Sequence, residues 1–422
     1  MRFPWFCLIL SLSVPSIASA QEPALSLDAL ARDVVLNNPE RRYYVQQIDT
    51  AGAEREAAGR LQDPELTVEF GERRTRDPLT GVHTGDGLSY AVSIVQPIEF
   101  GGRIALRRAI AERQVALARI GLASFEATLA ARARSLGFAL FAADEKAAAA
   151  RVVAARMRDL AQVIVARDPA GPAPILDAAV LRAGAISAER DAASADAEAN
   201  TVLYELNQLR GAPFTARIRI VRPDTSLPAL PPGPKLAAGV DERNFELLAL
   251  RAQFEQQGLR VDLARKARIP TVAIGPYMDH SRADNVETNY GVRLTTTLPV
   301  WNAQAGAVAQ ERGRQAQADA TLVEAQRRIG REVFDQSAQY EAKRTVLSRW
   351  NGDTPERFAE AAAEADRSFR LGAIPLATYT QMQDAYRSAL NAVLDTRHEA
   401  LEALLQLRAL AGGSFDGTSA EP

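Results

Sequence analysis

One order of sequence signals occurs twice in this chain of 422 residues, and a single compact core does not account for it. Asn38-Pro39-Glu40 precedes the stretch QDPELTVEF, and Asn244-Phe245-Glu246 precedes RIPTVAI; Asn244 follows Asn38 by 206 positions, and Pro270 follows Pro64 by the same 206. Pro97 in QPIEFGGR and Pro299 in LPVWNAQA are 202 apart, so the second hairpin loop is the shorter one. GPAPILD (171–177) and GAIPLAT (372–378) are 201 apart, and LNQLRGA closes the first run as LQLRALAG closes the second. Matches in one order at nearly one shift read as a duplicated unit. Each unit is expected to run helix, strand, hairpin loop, strand, long helix, tight turn, returning helix. The expected divisions are a first repeat at 21–235, ending in a Pro-rich, extended and exposed connector, a second at 236–411, and a disordered tail at 412–422.

Within each unit the periodicity changes sharply. GLSYAVSIVQ (87–96) sets Tyr90, Val92 and Ile94 against Ser89, Ala91 and Ser93, the period-2 pattern of a strand. Past Gly101-Gly102 no proline occurs until Pro169, which predicts a helix over about 102–167. A 4-3 seam through Val115, Ala118, Leu122, Phe125, Leu129, Arg132, Leu136 and Ala139, with Arg132 as its one polar member, predicts coiled-coil packing over about three heptads. Abundant alanine supports both helix formation and close helix approach.

The N-terminus reads as a secretory signal peptide over 1–20: Arg2, an apolar run from Phe3, and Ala18-Ser19-Ala20 as the cleavage site. The only cysteine, Cys7, lies within it, so a disulfide framework is excluded. Basic and acidic residues number 50 and 52, a formal net charge of −2, which implies no field for nucleic acid. No later segment has the ~18–20 apolar residues of a transmembrane helix. Strands are the remaining means of crossing a membrane. LTVEF (66–70) with LSYAVSIVQ (88–96), and TVAIG (271–275) with YGVRLTTTL (290–298), form two hairpins whose strands approach the ~9–11 residues that cross a bilayer when tilted. Their loops, RRTRDPLTGVHTGDG and DHSRADNVET, are polar. Four strands cannot close a barrel, and open edges are not tolerated in lipid, so a membrane reading requires several protomers to share one. The competing reading is a small soluble sheet, its two hairpins packed face to face, capping a coiled coil.

NNPERR with LQDPELTVEFGE, then QPIEFGGRIALRRAIAE, LPVWNAQAGAVAQE and RLGAIPLATYTQMQDA resemble the TolC family of outer-membrane efflux channels, in particular its branch serving cobalt-zinc-cadmium-type resistance pumps. The resemblance implies a mainly α fold with a membrane β-barrel portion: a homotrimer in which each protomer gives four transmembrane strands to a shared barrel, while its helices build a long periplasmic tunnel. It also implies a passive duct in the outer membrane without catalysis or cofactor, coupled through a periplasmic adaptor to an inner-membrane pump of the RND type and serving heavy-metal export. A duct for drug efflux or type I secretion is the alternative, and a soluble periplasmic coiled-coil adaptor a more distant one. On this scheme Pro97, Gly101, Gly102 and Pro299 mark the strand-to-helix junctions. Gly171, Pro174, Leu371, Gly372 and Pro375 lie at the adaptor-docking tips.

Family members often carry pore-facing carboxylates just inside the tip. Here that slot is Asp177 in the first repeat, while the second has Thr378, with Gln381 one turn on. A ring of three Asp177 side chains would favour cations; alternatively Asp177 sits in a first helical turn and is stabilised by the macrodipole. His83 near Asp86, and His280 near Asp279 and Asp284, read as solvated loop residues rather than a metal site, and His398 falls on the last helix.

Overall fold

The computed structural model describes residues 24–166, 172–224, 227–298, 304–350 and 354–412. The expected signal peptide, Gly171, Pro299 and the tail beyond 412 lie outside them. In chain order the elements are β1 (Ala24–Leu25), α1 (Leu27–Asn37), α2 (Arg41–Ala58), β2 (Glu65–Arg76), β3 (His83–Ile98), α3 (Arg103–Ala166) and α4 (Pro172–Arg210). They continue as β4 (Arg219–Ile220), α5 (Gly233–Arg243), α6 (Phe245–Lys266), β5 (Val272–Arg282), β6 (Val286–Thr296), α7 (Ala305–Arg349), α8 (Thr354–Arg370) and α9 (Leu376–Leu410). β1 pairs with β4 in parallel.

The helix expected before each hairpin is two helices. Asn38-Pro39 ends α1, since Pro39 can neither donate to α1 nor fit its interior. Asn244 serves as C-cap of α5 and N-cap of α6, its side chain accepting from the Leu247 amide at 3.0 Å. The side-chain amides of the paired asparagines make equivalent contacts, for Asn38 donates to the Leu209 carbonyl at 2.9 Å and Asn244 to the Leu410 carbonyl at 3.0 Å. Each thus satisfies a carbonyl in the last turn of a returning helix, α4 or α9, and both asparagines are buried.

α3 is continuous over 64 residues, ~96 Å at 1.5 Å per residue. Its seam differs from the expected one in phase. From Leu129 the covered positions are Ala133, Leu136, Leu140, Ala143, Ala147 and Ala150, and the alternation of 4 and 3 continues through Ala154 and Met157 to Ala161. Arg132 therefore lies off the seam, exposed and paired with Glu205 of α4 at 2.6 Å. Nor does the pattern fade near Asp144. It passes onto alanines, opposed by Leu181, Ala185, Ala188 and Ala192 of α4. The second long helix is broken between α7 and α8, where Asn351-Gly352 and Pro355 disfavour helix. The core is accordingly a series of clusters along the helices. One joins α3, α4, α8 and α9; another joins α5, α6, α7 and α9; a third joins α1, α3 and α4.

The described part of the Pro-rich connector is not wholly exposed. Leu227 and Leu230 pack on the α5–α7–α9 cluster, and the Tyr340 hydroxyl donates to the Pro228 carbonyl at 2.7 Å. Burial pushes that phenol up to about 12. Gly233 to Lys235, read as connector, open α5, where Pro234 suits a first turn.

The hairpins do not pack face to face. They form one four-stranded antiparallel sheet in the order β2-β3-β5-β6, with β2 and β6 as unpaired edges. Below it α2, α3, α6 and α7 follow the same order as a helical wall. The strands are longer than expected, so the loops shrink to residues 77–82 and 283–285. His83 and His280, expected in loops, lie on strands: His83 pairs with Asp86 at 3.1 Å, while His280 bonds the Thr288 hydroxyl at 2.9 Å and lies tilted against the Tyr90 ring.

Candidate functional site: sheet faces, junction and tips

Strand alternation divides the sheet into two unlike faces. Cross-strand partners Leu66 and Ile94, Val68 and Val92, and Phe70 and Tyr90 share one face, continued by Ile274 beside Leu294 and Pro276 beside Val292. Most of this apolar face is exposed, Phe70 by 77% and Val292 by 70%, far beyond the scattered apolar residues of an ordinary soluble surface. Thr67, Glu69, Ser93, Asp279, Ser281 and Arg293 occupy the other face. There Arg73 reaches across the sheet to Ser281 at 2.5 Å and to Glu287. Arg293 donates to the Ser93 hydroxyl at 2.9 Å while lying over the Tyr277 ring.

At the junction, Pro97 closes β3 against Ala273, and Gly101 and Gly102 take φ of 79° and 75° before α3 begins. Two successive left-handed residues turn the chain from strand to helix, a path that side-chain-bearing residues resist. A Cβ on Gly101 would also come within 2.9 Å of Ile269. Glu99, with its side chain 3% exposed, is held by Arg107 at 2.5 Å and Arg103 at 3.5 Å. The charges lie in QPIEFGGRIALRR itself, yet the sequence reading took only its proline and glycines.

At the opposite end the α8–α9 turn is a Schellman motif. The Ala373 amide donates to the Ser368 carbonyl and the Gly372 amide to Phe369, both at 2.9 Å, with Gly372 at φ 74°. Across the turn Phe369 stacks on Tyr379 at 5.1 Å, and the buried Gln383 donates to the Ala362 carbonyl at 2.8 Å. Burial drives the Tyr379 phenol far above its ordinary value. Pro375 caps α9, and Leu371 projects from the turn, 85% exposed. Pro174 lies in the first turn of α4.

Asp177 is exposed in the second turn of α4, which has no acidic residue in its first turn, so the first-turn dipole reading is corrected. Thr378 and Gln381 are exposed on one face of α9. Among the described residues no hydrogen bond or ion pair joins either to Asp177. The structure instead links α4 to α9 through Asp191 and Arg387 at 2.6 Å, a pair the sequence reading missed because its members are 196 residues apart. His398 stacks on Phe138 and bonds Ser135 at 3.1 Å. Among the described residues no group of three His, Cys, Asp or Glu could hold a metal ion, and no helix is long and apolar enough to cross a membrane.

The Arg387 hydrogen bond holds the Asp191 carboxyl below its ordinary value, against a smaller opposing effect of burial. This stabilisation is present above the unfolded carboxyl pKa of ~3.9 and is lost as pH falls through the lower folded value. Thermal unfolding followed by circular dichroism from pH 6 to 3 is therefore expected to show a shallower acid loss in Arg387→Gln than in the native protein. Identical slopes would remove the pair from the acid response.

Residues 239–413 match the family model described as outer membrane efflux protein. The second half of the chain thus carries an outer membrane efflux protein domain. A membrane protein from Pseudomonas aeruginosa superposes on this chain with a TM-score of 0.75 at 18% identity, covering 94% of this chain and 93% of that one. The CusC protein, solved for conformational changes accompanying folding and transmembrane channel formation, gives 0.72 at 13% identity, covering 93% of each chain. The open state of the Neisseria gonorrhoeae MtrE outer membrane channel gives 0.72 at 16%, covering 92% of this chain and 89% of that one. No curated protein matches this sequence significantly.

Proposed function

We propose that three copies of this chain close one twelve-stranded barrel in the outer membrane and extend it into the periplasm as a helical duct. One observation carries the reading: an open four-stranded sheet has an exposed apolar face, a polar face and two unpaired edges. Open edges are not tolerated in lipid, whereas pairing β2 of one copy with β6 of the next satisfies every strand. The twin contacts of Asn38 and Asn244 support a duplicated unit, whose second copy opens with α5 at Gly233 rather than at 236. The duct is passive. Its energy comes from an inner-membrane pump, reached through a periplasmic adaptor that docks on the turns at Gly171–Pro174 and Leu371–Pro375.

Heavy-metal cations are the cargo implied by the resemblance to metal-resistance ducts, and three exposed Asp177 side chains near the tip support cation passage. Low-dielectric walls and short separations weaken screening at such a ring. Asp177→Asn removes three charges per trimer at nearly constant size. Single-channel recordings at low salt are expected to show reduced cation preference in this variant, with the difference shrinking at high salt. An unchanged cation-to-anion permeability ratio would take Asp177, and with it the Thr378 and Gln381 level, out of the gate.

A further inference from the structure

A cavity of about 790 Å³ opens on the helical wall directly below the sheet, lined by α2, α3, α6 and α7. Its apolar lining comes from Ile110 and Ala111 of α3, Leu263 and Ala264 of α6, and Ala267 at the C-cap of α6. Three arginines line it as well: Arg103, Arg107 and Arg260. The first two share the Glu99 carboxylate, and Arg103 also donates to the Thr271 hydroxyl at 3.0 Å. Even so, Arg103 Nε is buried without a hydrogen-bond partner. Arg260 is half-buried and engages no group among the described residues. Native interiors leave few polar atoms in this state, and a charge beside apolar surface is costly until it is paired.

The position of the cavity matters. Glu99 continues the alternation of Ser93, Val95 and Pro97, on the polar side of the sheet. The lining spans the whole width of the wall, from α2 to α7, so the cleft lies on a face of the wall rather than at an edge where a second copy would join. On the duct reading, on which the location rests, that face is the interior. Glu54 of α2 and Glu311 of α7 stand at the two flanks. Arg314 binds one Glu311 oxygen at 2.6 Å, and the other is buried without a partner. Carboxylates at both flanks favour one anionic group at the centre and repel a second.

We infer that this cleft binds a small organic monoanion, an apolar ring or short chain carrying one sulfonate or carboxylate. The anionic group takes charge-assisted hydrogen bonds from the Arg260 guanidinium, in the positive field of Arg103 and Arg107. The apolar body lies on Leu263, Ala264 and Ala267. The volume falls in the range of small-molecule sites.

Naphthalene-2-sulfonate, titrated calorimetrically into the full-length protein in lipid nanodiscs, tests this directly, with neutral 2-naphthalenemethanol as the comparison. The sulfonate is expected to bind saturably, and the alcohol at least about tenfold more weakly, the loss expected when a hydrogen bond to a charged group is removed. Arg260→Gln should weaken the sulfonate by a similar factor without disturbing the fold, since Arg260 holds nothing in place. Ala264→Trp should block binding by filling the cleft. Equal binding of both ligands, indifference to Arg260→Gln, or no saturable binding overturns the site. Bilayer recordings separate this from the duct reading. Saturating sulfonate is expected to lower the conductance of the native channel and not of Arg260→Gln. Conductance without sulfonate binding rejects the site alone, whereas binding by a protein that forms no channel keeps the site and rejects the duct.

Discussion

Arginine at both Phe70 and Val292 is expected to remove the protein from the outer-membrane fraction. Both residues lie near mid-strand on the exposed apolar face, Phe70 on β2 and Val292 on β6. A charge at the midplane of a barrel's lipid face costs about 2–4 kcal/mol, and the proposed trimer carries each substitution three times. Fractionation and immunoblotting provide the measurement: the variant is found in the soluble or degraded fraction. Glu69→Arg is the control. Glu69 neighbours Phe70 but faces the polar side, so its reversal is expected to leave insertion intact. Normal insertion of the Phe70 and Val292 variant, or equal loss with Glu69→Arg, would mean that the apolar face does not meet lipid.

The second large effect belongs to the tip. Leu371→Glu is expected to abolish export while trimer yield and insertion stay normal, because Leu371 is the most exposed apolar side chain of the α8–α9 turn and supports no part of its framework. Gly372 is a less direct probe. Its φ of 74° and its amide bond to Phe369 belong to the Schellman turn, so any side chain there adds backbone strain of roughly 1 kcal/mol to whatever docking it blocks. Gly372→Ala should therefore lower stability slightly and export little. A charged residue at 372 combines both effects. Measured as cellular resistance to the exported compound, undiminished export in Leu371→Glu would place the adaptor elsewhere.

The sequence disclosed most where a local rule sufficed. Period-2 alternation placed Tyr90, Val92 and Ile94 on one side of β3, and the two faces of the sheet follow from it. The glycines at 101 and 102 marked the junction because left-handed backbone has few other solutions. It disclosed less where many alanines make every helical face look alike: hydropathy does not separate Ala133 from Ala139, so the seam drifted out of phase at Arg132. The break after Arg349 was legible in Asn351-Gly352 and Pro355 but was hidden by the expectation of one long helix. Pairings between the two halves were not legible. Asp191 meets Arg387, and Arg260 shares a cleft with Arg103, only because α4 nears α9 and α6 lies beside α3.

The central claim is that three chains, and only three, close the sheet through the edges of β2 and β6. The sole cysteine, Cys7, falls within the expected signal peptide, so introduced thiols report without background. Val68→Cys on β2 and Tyr290→Cys on β6 sit at one level of the sheet, linked through Val92 and Met278. The double variant, treated with a short bis-maleimide in intact outer membranes, is expected to give covalent dimers and trimers and nothing larger, while each single variant stays monomeric. Absence of cross-linking, or a ladder continuing past three chains, would contradict a closed trimeric barrel.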